Sequence, residues 1–533
     1  MHSAVRRQQL WTFMRRNAES VAYGANTYLM SRIAEVRLPE WRPNPDRPHR
    51  TFTASSYMKG ERLQHVSAAE IGPETINLLG SLDVEAHVGV LLGAGASAAA
   101  GLPDWNTFAV ELLTTSGAIT DRATAKAFLA EQDPAIVAEA AKNAASSEWS
   151  TLLKTALYGE APASPAPLHN ATAALAGALG HDAISLFTLN YDNLLEVALH
   201  DVLEELGHST EVFPRRSARP RASRGNFEVH HLHGYLPPDA DDATSVILTL
   251  SDYNVLGQQN PAWQASALAE SVQKGPLILA GTSYRDPDIR QWIHHLTSDD
   301  SGAEVLVFLA REGMKLDRVQ FRHIENALKA QWSALGVQVI ATHDYEDAAQ
   351  ALRELPHINE LGYQVPSARA ATQWEKQLAD FSTWQRADSE ELEHDLKTLR
   401  EQLPNFDNLT LWLADGEGGL VRWSANDRIY RHPDHLRRAV PGHDSAWIAG
   451  QCLGRNDILV KQVDKPASTA RLHSVAAAPV VPELPGGPPL PSGVISAAST
   501  SPTEDVLVDE VDAAFAELSE KWSLRLQERS TSS

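Results

Sequence analysis

The chain has 533 residues, of which 43% are hydrophobic, a composition typical of a globular protein with two to four domains. Its 68 acidic and 46 basic residues leave a formal net charge of −22, which makes nucleic acid and anionic membranes poor partners. The single cysteine, Cys452, excludes a disulfide framework and any four-cysteine zinc module. The sequence has no apolar run of about 18 residues, so it predicts no transmembrane helix.

Residues 1–80 have few periodic signals and are expected to form an N-terminal extension. Their start, MHSAVRRQQLWTFMRR, is rich in arginine but lacks the apolar centre of a secretory signal peptide. A cytoplasmic location is therefore expected for the protein.

A glycine-rich turn follows this extension. Val88–Leu92 is a continuous apolar run, typical of a parallel strand that is buried on both faces. Gly93, Gly95 and Ala98 then follow in the spacing G-x-G-x-x-A, which turns the chain into a helix whose N-terminus can face a pyrophosphate. In this interpretation Gly95 leaves space for the phosphate. A simple small-residue turn between strand and helix fits the same spacing.

The residues after the turn argue against simple hydride transfer. Ser97 adds a hydroxyl at the turn, but the chain then continues as GLPDW from residue 101, a proline-marked loop before a helix. A classical dinucleotide fold needs a second strand ending in an acid about 20 residues on, and none is predicted there.

Strand-like and helix-like segments alternate downstream, as in a parallel sheet with helices on both faces. The predicted strands cover residues 88–92, 183–189, 229–232, 246–250, 276–280, 305–309 and 337–341. The fold class is therefore α/β, with a Rossmann-like parallel sheet in a domain of residues 81–365. Ligands of such sheets bind beyond the C-terminal ends of the strands, where polar residues stand: Asn190, Asp192, His233, Thr282 and Ser283.

Asn190, Asp192 and His233 suit the cleavage of an N-glycosidic bond. An amide can hydrogen-bond a ribose or a water, a carboxylate can stabilise growing positive charge, and a neutral imidazole can accept a proton near pH 7. As alternatives, Asn190 and Asp192 suit the cap of the next helix, and His233 suits an ordinary loop position. A metal site at His230, His231 and His233 is disfavoured, because no acidic or cysteine residue follows them at ligand spacing.

The chain beyond residue 365 has a different pattern. Residues 366–403 predict an amphipathic helical linker, whose leucines at seven-residue spacing suit either a dimer seam or packing on the chain itself. Residues 404–533 combine alternating strands, a hairpin loop and a capped helix, which predicts a separate antiparallel α+β domain. The arginine-rich stretch at residues 215–224 predicts a solvated loop, with a phosphate or nucleic-acid contact as the alternative.

Five short segments occur in an order that resembles the sirtuin superfamily, over residues 80–360. They are GAGAS from residue 93, GLPD from 101, TLNYD from 188, LHG from 232 and GTS from 281. The segments NYDNLLE and YRDPDIR look more like the bacterial defence-associated branch, for which the resemblance implies NAD hydrolysis, often triggered by phage infection. Leu189 and Tyr191 depart from the sirtuin glutamine and isoleucine, and the zinc-binding cysteines of deacylating sirtuins are absent.

The resemblance implies roles for individual residues. It implies catalysis by Asn190 and His233 together with Asp192, and no resident zinc. It implies contacts with the dinucleotide or its ribose from Gly93, Ala94, Gly95, Ser97, Pro103, Asp104, Gly281, Thr282 and Ser283. Residues 404–533 resemble a GAF-like sensor or dimerisation domain more loosely, through the segments LWLAD, WIAG and LPSGVI.

The function expected from the resemblance is hydrolysis of NAD, as a substrate, to nicotinamide and ADP-ribose. The protein is then expected to be an anti-phage abortive-infection effector regulated by its C-terminal domain. Its expected partners are NAD, a small-molecule or phage-derived trigger, and a second copy of the chain in a homo-oligomer. An NAD-dependent protein deacylase and a non-catalytic binder of NAD or ADP-ribose are the alternatives.

Overall fold

A seven-stranded sheet organises the first part of the chain in the computed structural model. The structure describes residues 68–84, 86–145, 149–159, 163–218, 225–239, 246–259, 262–283, 286–298, 302–463, 472–503 and 508–531. The strands are β1 (Val88–Leu92), β2 (Ile184–Thr188), β3 (Val212–Arg215), β4 (Phe227–His231), β5 (Leu277–Ala280), β6 (Val305–Ala310) and β7 (Gln338–Thr342). They lie in the order β3-β4-β2-β1-β5-β6-β7, and all neighbours run parallel, which confirms the Rossmann-like prediction.

Helices cover both faces of this sheet, because the apolar side chains of its strands alternate between two cores. In β1, Val90 and Leu92 belong to one core and Leu91 to the other. The helices of this domain are α1 (Pro73–Gly80), α2 (Ala94–Ala99), α3 (Trp105–Thr115), α4 (Arg122–Glu131), α5 (Pro134–Ala144), α6 (Trp149–Tyr158), α7 (Pro167–Leu179), α8 (Leu194–Glu205), α9 (Leu250–Gly257), α10 (Trp263–Val272), α11 (Pro287–Thr297), α12 (Arg311–Met314), α13 (Arg318–Ser333) and α14 (Tyr345–Glu354). Helices α3 to α6 form a lobe with its own apolar core beside the glycine turn.

One predicted strand is wrong, and one strand of the sheet was not predicted. Residues 246–250 are not a strand, because Thr249 and Asp252 form a capping box that begins helix α9. The seventh strand is instead β3, whose sequence contains Pro214 and which pairs only with β4 at the edge of the sheet. An edge strand tolerates a proline, since one side of its backbone needs no partner strand. Of the arginine-rich stretch, residues 219–224 lie outside the described residues.

The last part of the expected N-terminal extension packs on the first domain. Ile71, Ile76 and Leu79 are buried in the core on one face of the parallel sheet. A 3₁₀ turn at Ala68–Glu70 precedes them, and Ala69 is buried against the C-terminal domain. Residues 68–80 therefore belong to the folded core of the described chain.

An antiparallel sheet forms the C-terminal domain, as an α+β half-barrel. Its strands are β8 (Phe406–Ala414), β9 (Leu420–Ala425), β10 (Arg438–Ala439), β11 (Leu459–Gln462), β12 (Ser474–Val480) and β13 (Gly493–Ser499), in the order β10-β9-β8-β13-β12-β11. Its helices are α15 (Pro366–Ala379), α16 (Phe381–Gln402), α17 (Ile448–Arg455) and α18 (Val508–Thr531), with a 3₁₀ turn at Pro433–His435. The prediction of an antiparallel α+β domain is confirmed. The capped start predicted for the last helix falls partly on residues 504–507, which lie outside the described residues.

The predicted helical linker packs on its own chain. It divides at Asp380 into α15 and α16. The leucines that suggested a dimer seam, Leu392 and Leu399, are buried in the core of the C-terminal domain. Gln385, which interrupts the apolar pattern, is buried as well and accepts a hydrogen bond from the backbone N–H of Tyr430 at 3.1 Å. Of the two interpretations, intrachain packing is the one that the structure supports.

The two domains meet along helix α14. The backbone N–H of His443 donates to the Asp344 carboxylate at 3.0 Å, and Asn456 donates to Glu346 at 3.2 Å. Beside them, the buried Arg311 donates to Asp444 at 2.8 Å. These contacts place buried charges of the first domain opposite polar groups of the second. Among the described helices, none is long and apolar enough to cross a membrane.

Candidate functional site

The C-terminal ends of four neighbouring strands meet at the glycine turn. The backbone N–H of Gly93, after β1, donates to Ala280 at 3.0 Å, and that of Gly95 donates to Gly281 at 2.9 Å. The order of strands reverses between β1 and β5, where α/β sheets of this type bind their ligands. The ends of β2 and β4 lie beside them, because β2 pairs with both β1 and β4.

The glycines of the turn allow the backbone to pack closely. A Cβ atom at Gly93 would lie 2.7 Å from the Gly281 carbonyl oxygen, so no side chain fits there. A Cβ atom at Gly95 would lie 2.7 Å from Cζ of Tyr345. The sequence assigned the space at Gly95 to a phosphate, whereas in the structure the Tyr345 ring fills it. Helix α2, which the turn begins, has only six residues.

Asn190 is held by the glycine turn through its side-chain amide. Its Nδ2 donates to the carbonyl oxygen of Gly93 at 3.0 Å and to Ser97 Oγ at 2.7 Å. A carbonyl oxygen only accepts, so the amide nitrogen must face Gly93. Both hydrogens of Nδ2 are then used, and Oδ1 has no hydrogen-bond donor among the described residues, in a side chain that is 7% exposed.

Asp192 supports this arrangement from the side of helix α8. Ser97 Oγ donates to Asp192 Oδ2 at 2.7 Å, and Asp192 Oδ1 accepts the backbone N–H of Leu194 at 3.1 Å. Both carboxylate oxygens are therefore engaged within the protein. The interpretation of Asp192 as a helix-capping residue holds, and its carboxylate also orients Ser97 beneath Asn190.

A buried pair, His231 and Glu196, contacts the backbone of Asn190. His231 Nε2 lies 2.6 Å from Glu196 Oε1, and its Nδ1 lies 3.1 Å from the backbone carbonyl oxygen of Asn190. His231 is fully buried. Burial disfavours its charge, but the Glu196 carboxylate and the Asn190 carbonyl outweigh burial and raise the pKa of His231.

His233 lies in a separate group of contacts, between two carboxylates. Its Nε2 is 3.3 Å from Asp288 Oδ2, and its Nδ1 is 3.9 Å from Asp286 Oδ2. The rings of Tyr253 and Trp292 pack against the imidazole, at centroid distances of 5.8 and 5.9 Å. No hydrogen bond or ion pair of the described residues joins His233 to Asn190, Asp192 or Ser97.

The electrostatics of His233 follow from this position. The side chain is almost wholly buried, which disfavours the imidazolium, but the charges of Asp286 and Asp288 outweigh burial and raise its pKa. Its Nε2 nevertheless lacks well-aligned hydrogen-bond geometry within the described chain, as does Oδ2 of Asp288. His233, Asp286 and Asp288 also offer ligand atoms within 4.8 Å of one another, a set that suits a metal ion. Sequence spacing indicated no acidic partner for this histidine, whereas the fold places two beside it.

The remaining predicted binding residues divide into two groups. Thr282 follows β5, and its buried Oγ1 lacks a hydrogen-bond partner in the described chain, so it fits a group that a ligand brings. Gly281 lies beside it, with Ser283 next in the chain. Asp104, after Pro103, is engaged elsewhere, because it caps helix α3 through the Thr107 N–H at 2.8 Å and pairs with Lys315 at 2.6 Å. Ala94 is exposed at the first position of α2.

Sequence reasoning missed four residues that contact the candidate site. Asp286 and Asp288 belong to the segment YRDPDIR, which the sequence marks only as a family feature, and Asp286 caps helix α11 through two backbone N–H groups. The signal available was an acid-rich helix start directly after the polar end of a strand. Glu196 ends the segment NYDNLLE, which the sequence likewise marks only as a family feature, and Tyr345 carried no signal. Tertiary packing brings Glu196 to His231 and Tyr345 to Gly95.

Part of the first domain matches a known protein family. Residues 184–340, which contain β2 to most of β7, match the family model described as SIR2-like domain. A search of the curated proteins found no match. The SIR2-like match suggests an NAD-related activity for the first domain, and it covers Asn190, His233, Thr282 and both aspartates beside His233.

Proposed function

We propose that the protein is an NAD hydrolase, which cleaves the bond between nicotinamide and ribose to give nicotinamide and ADP-ribose. The observation that carries the proposal is the Asn190 amide. It is fixed at a strand end with its oxygen free, in the SIR2-like region and next to the turn where dinucleotides bind in sheets of this type.

The reaction requires a group that manages a proton and a group that holds the ribose. Hydrolysis breaks the bond from C1′ of the ribose to the nicotinamide ring nitrogen, and the bonding electrons return to that nitrogen and neutralise its positive charge. A new bond forms between C1′ and a water oxygen, whose extra proton must leave. The ribose passes through a state with positive charge shared by C1′ and the ring oxygen, which nearby acceptor oxygens stabilise.

Asn190 is suited to hydrogen-bond the ribose. With Nδ2 committed to Gly93 and Ser97, Oδ1 accepts a hydrogen bond from a ribose hydroxyl or from the attacking water. The amide does not need to reorient when the substrate binds, because the protein already fixes it. A preorganised dipole costs no reorganisation at the moment of reaction.

His233 is suited to accept the proton that must leave. A buried imidazole whose Nε2 is not saturated by protein partners can accept a proton from water or from a ribose hydroxyl, and the neighbouring carboxylates stabilise the imidazolium that results. The ionised carboxylates of Asp286 and Asp288 can only accept hydrogen bonds, and their positions beside Nδ1 and Nε2 also orient the imidazole ring. This assignment gives Asp288 a positioning role that the sequence did not suggest.

We further propose that the C-terminal domain regulates this site through helix α14, in an anti-phage abortive-infection effector that responds to a small-molecule or phage-derived trigger. The contacts of His443 and Asn456 with Asp344 and Glu346 flank Tyr345, whose ring packs on Gly95 of the turn. A change in how the C-terminal domain docks would therefore alter the packing of Tyr345 on the glycine turn. The segments NYDNLLE and YRDPDIR support the defence-associated assignment, and the GAF-like segments support a sensor.

The experiment incubates the full-length protein with NAD alone and with NAD plus an acetyl-lysine peptide, and separates the products by chromatography. Hydrolysis predicts one nicotinamide per ADP-ribose without the peptide, and the same rate with it. Release that requires the peptide would indicate a deacylase, and binding without release would indicate a sensor. A parallel reaction with EDTA tests a metal at His233, Asp286 and Asp288, and the proton-transfer role predicts no change in rate.

A further inference from the structure

The end of the pairing between β2 and β4 leaves a backbone group that the sheet does not satisfy. Residue pairing in this ladder ends at Thr188 and His231. The carbonyl oxygen of Asn190 lies beyond that end, and the described contacts give it a side-chain donor, Nδ1 of His231 at 3.1 Å. The peptide that carries the catalytic amide is therefore held by a side chain instead of by a neighbouring strand.

The hydrogen positions on His231 follow from its partners. The Asn190 carbonyl only accepts, so Nδ1 must carry a hydrogen. On the other side, Nε2 and Glu196 Oε1 are 2.6 Å apart, so one proton lies between them, on the imidazole or on the carboxyl group. In either arrangement Glu196 keeps the ring in the orientation in which Nδ1 donates to Asn190. Tyr235 packs edge-to-face on the same ring, at a centroid distance of 4.5 Å.

We propose that His231 and Glu196 are positioning residues for Asn190, and that they hold its peptide so that Oδ1 faces the ribose. The proposal rests on the proposed NAD cleavage at Asn190. His231 acts on the backbone of Asn190, while Gly93 and Ser97 act on its side chain, so the residue is fixed at both ends. Neither His231 nor Glu196 touches substrate in this account.

Stability alone does not account for this pair. His231 and Glu196 are buried in a region where the other inward residues of β4, Phe227 and Val229, are apolar. A buried ion pair is usually no more stabilising than apolar residues of the same volume, because both charges lose their hydration. A leucine at position 231 would continue the apolar core, but it would leave the Asn190 carbonyl without a donor. The pair is thus better explained by its contact with the Asn190 carbonyl than by any contribution to the stability of the core.

The test compares substitutions that keep different halves of the imidazole. The amide nitrogen of His231→Asn falls near Nδ1 and keeps the donor to Asn190, whereas that of His231→Gln falls near Nε2 and keeps only the contact with Glu196. We expect His231→Gln and His231→Leu to lower kcat about tenfold or more, with KM changed less than about threefold, and His231→Asn to retain most of the rate. Glu196→Gln, which can still hydrogen-bond Nε2, should retain more activity than Glu196→Ala. His200→Asn, on the exposed face of α8, is the matched control.

A double-mutant cycle separates positioning from a purely structural role. If His231 acts through Asn190, His231→Leu adds little to the loss already caused by Asn190→Ala, whereas independent effects multiply. Multiplied losses, equal rates for His231→Asn and His231→Gln, or wild-type kcat in a folded His231→Leu protein would each overturn the proposal. A wild type that binds NAD but releases no nicotinamide would contradict the proposed function instead. The same cycle, measured on the Kd for NAD by calorimetry, would then decide the positioning role.

Discussion

The two halves of the candidate site differ in how the protein satisfies their polar atoms. Around Asn190, the backbone N–H, the backbone carbonyl and both amide hydrogens have protein partners, and Oδ1 alone has none in the part of the chain that the structure describes. Around His233, two carboxylates lie within 4 Å but Nε2 has no well-aligned partner in the described chain. In the proposed mechanism the fixed Asn190 half would stabilise a charged transition state, and the His233 half would accept a proton.

The largest expected effects come from removing the central residue of either half. Asn190→Ala and His233→Ala should each lower kcat for nicotinamide release by about 100-fold or more, since either the ribose contact or the proton acceptor is lost. Circular dichroism and thermal unfolding check that both proteins fold. The exposed residues Asn106 and His208 supply matched controls, whose alanine variants should keep the wild-type rate.

A substitution in the glycine turn should disturb the Asn190 half alone. Gly95→Val places a branched side chain against the Tyr345 ring, and overpacking of this kind typically costs about 1–3 kcal/mol of the free energy of unfolding. Because the turn also carries the Gly93 carbonyl that holds Asn190, we expect NAD affinity to fall about tenfold or more by calorimetry. Unchanged affinity in a folded Gly95→Val protein would mean that the dinucleotide binds elsewhere.

The pH dependence of the reaction should report on the His233 half. Since nearby carboxylates raise the pKa of His233, the neutral base forms only at higher pH, and kcat/KM should rise through a midpoint above the usual histidine value. Asp288→Asn removes one negative charge, so that midpoint should move to lower pH. The same profile in both proteins would show that His233 is not the group that titrates. Asp182→Asn, which removes a negative charge from an exposed position of the same domain, is the control and should leave the midpoint unchanged.

The smallest expected effect comes from the contact between the domains. His443→Ala removes the imidazole, whose Nδ1 contacts the Asp344 carboxylate next to Tyr345, and should loosen the packing of the Tyr345 ring on the glycine turn. We expect basal NAD cleavage by the full-length chain to rise about fivefold, a typical size for coupling between sites. His432→Ala, an exposed histidine of the same domain, should leave the rate unchanged. Equal rates in both variants would contradict regulation through α14.

The sequence predicted the sheet where apolar runs dominate and failed where a local signal competed with them. Six of the seven predicted strands formed, because runs such as Val88–Leu92 are long enough to be buried on both faces. Residues 246–250 failed because the Thr249 capping box favours a helix, and β3 was missed because Pro214 and its half-buried side chains hide an edge strand. In both cases the deciding interaction is local or marginal, so the apolar pattern alone is insufficient.

The candidate site divides in a similar way. The common placement of Asn190, His233 and Thr282 was predictable because each lies two residues after a strand, and the ends of parallel strands share one edge of the sheet. Asp288 lies 55 positions after His233, and Glu196 is 35 positions from His231, so only the fold shows that they are neighbours. The packing of Tyr345 on Gly95 likewise depends on a helix 250 positions away.

The most direct test of the central claim is the rate of nicotinamide release in a single turnover, with the protein in excess over NAD and no acyl peptide present. The wild-type chain should convert all NAD to equal amounts of nicotinamide and ADP-ribose, and His233→Ala, purified in parallel, should be slower by about 100-fold. The activity of a contaminating hydrolase would be the same in both preparations, because it does not depend on His233. Intact NAD with the wild-type chain under every triggering condition, or the same rate in both proteins, would contradict the account.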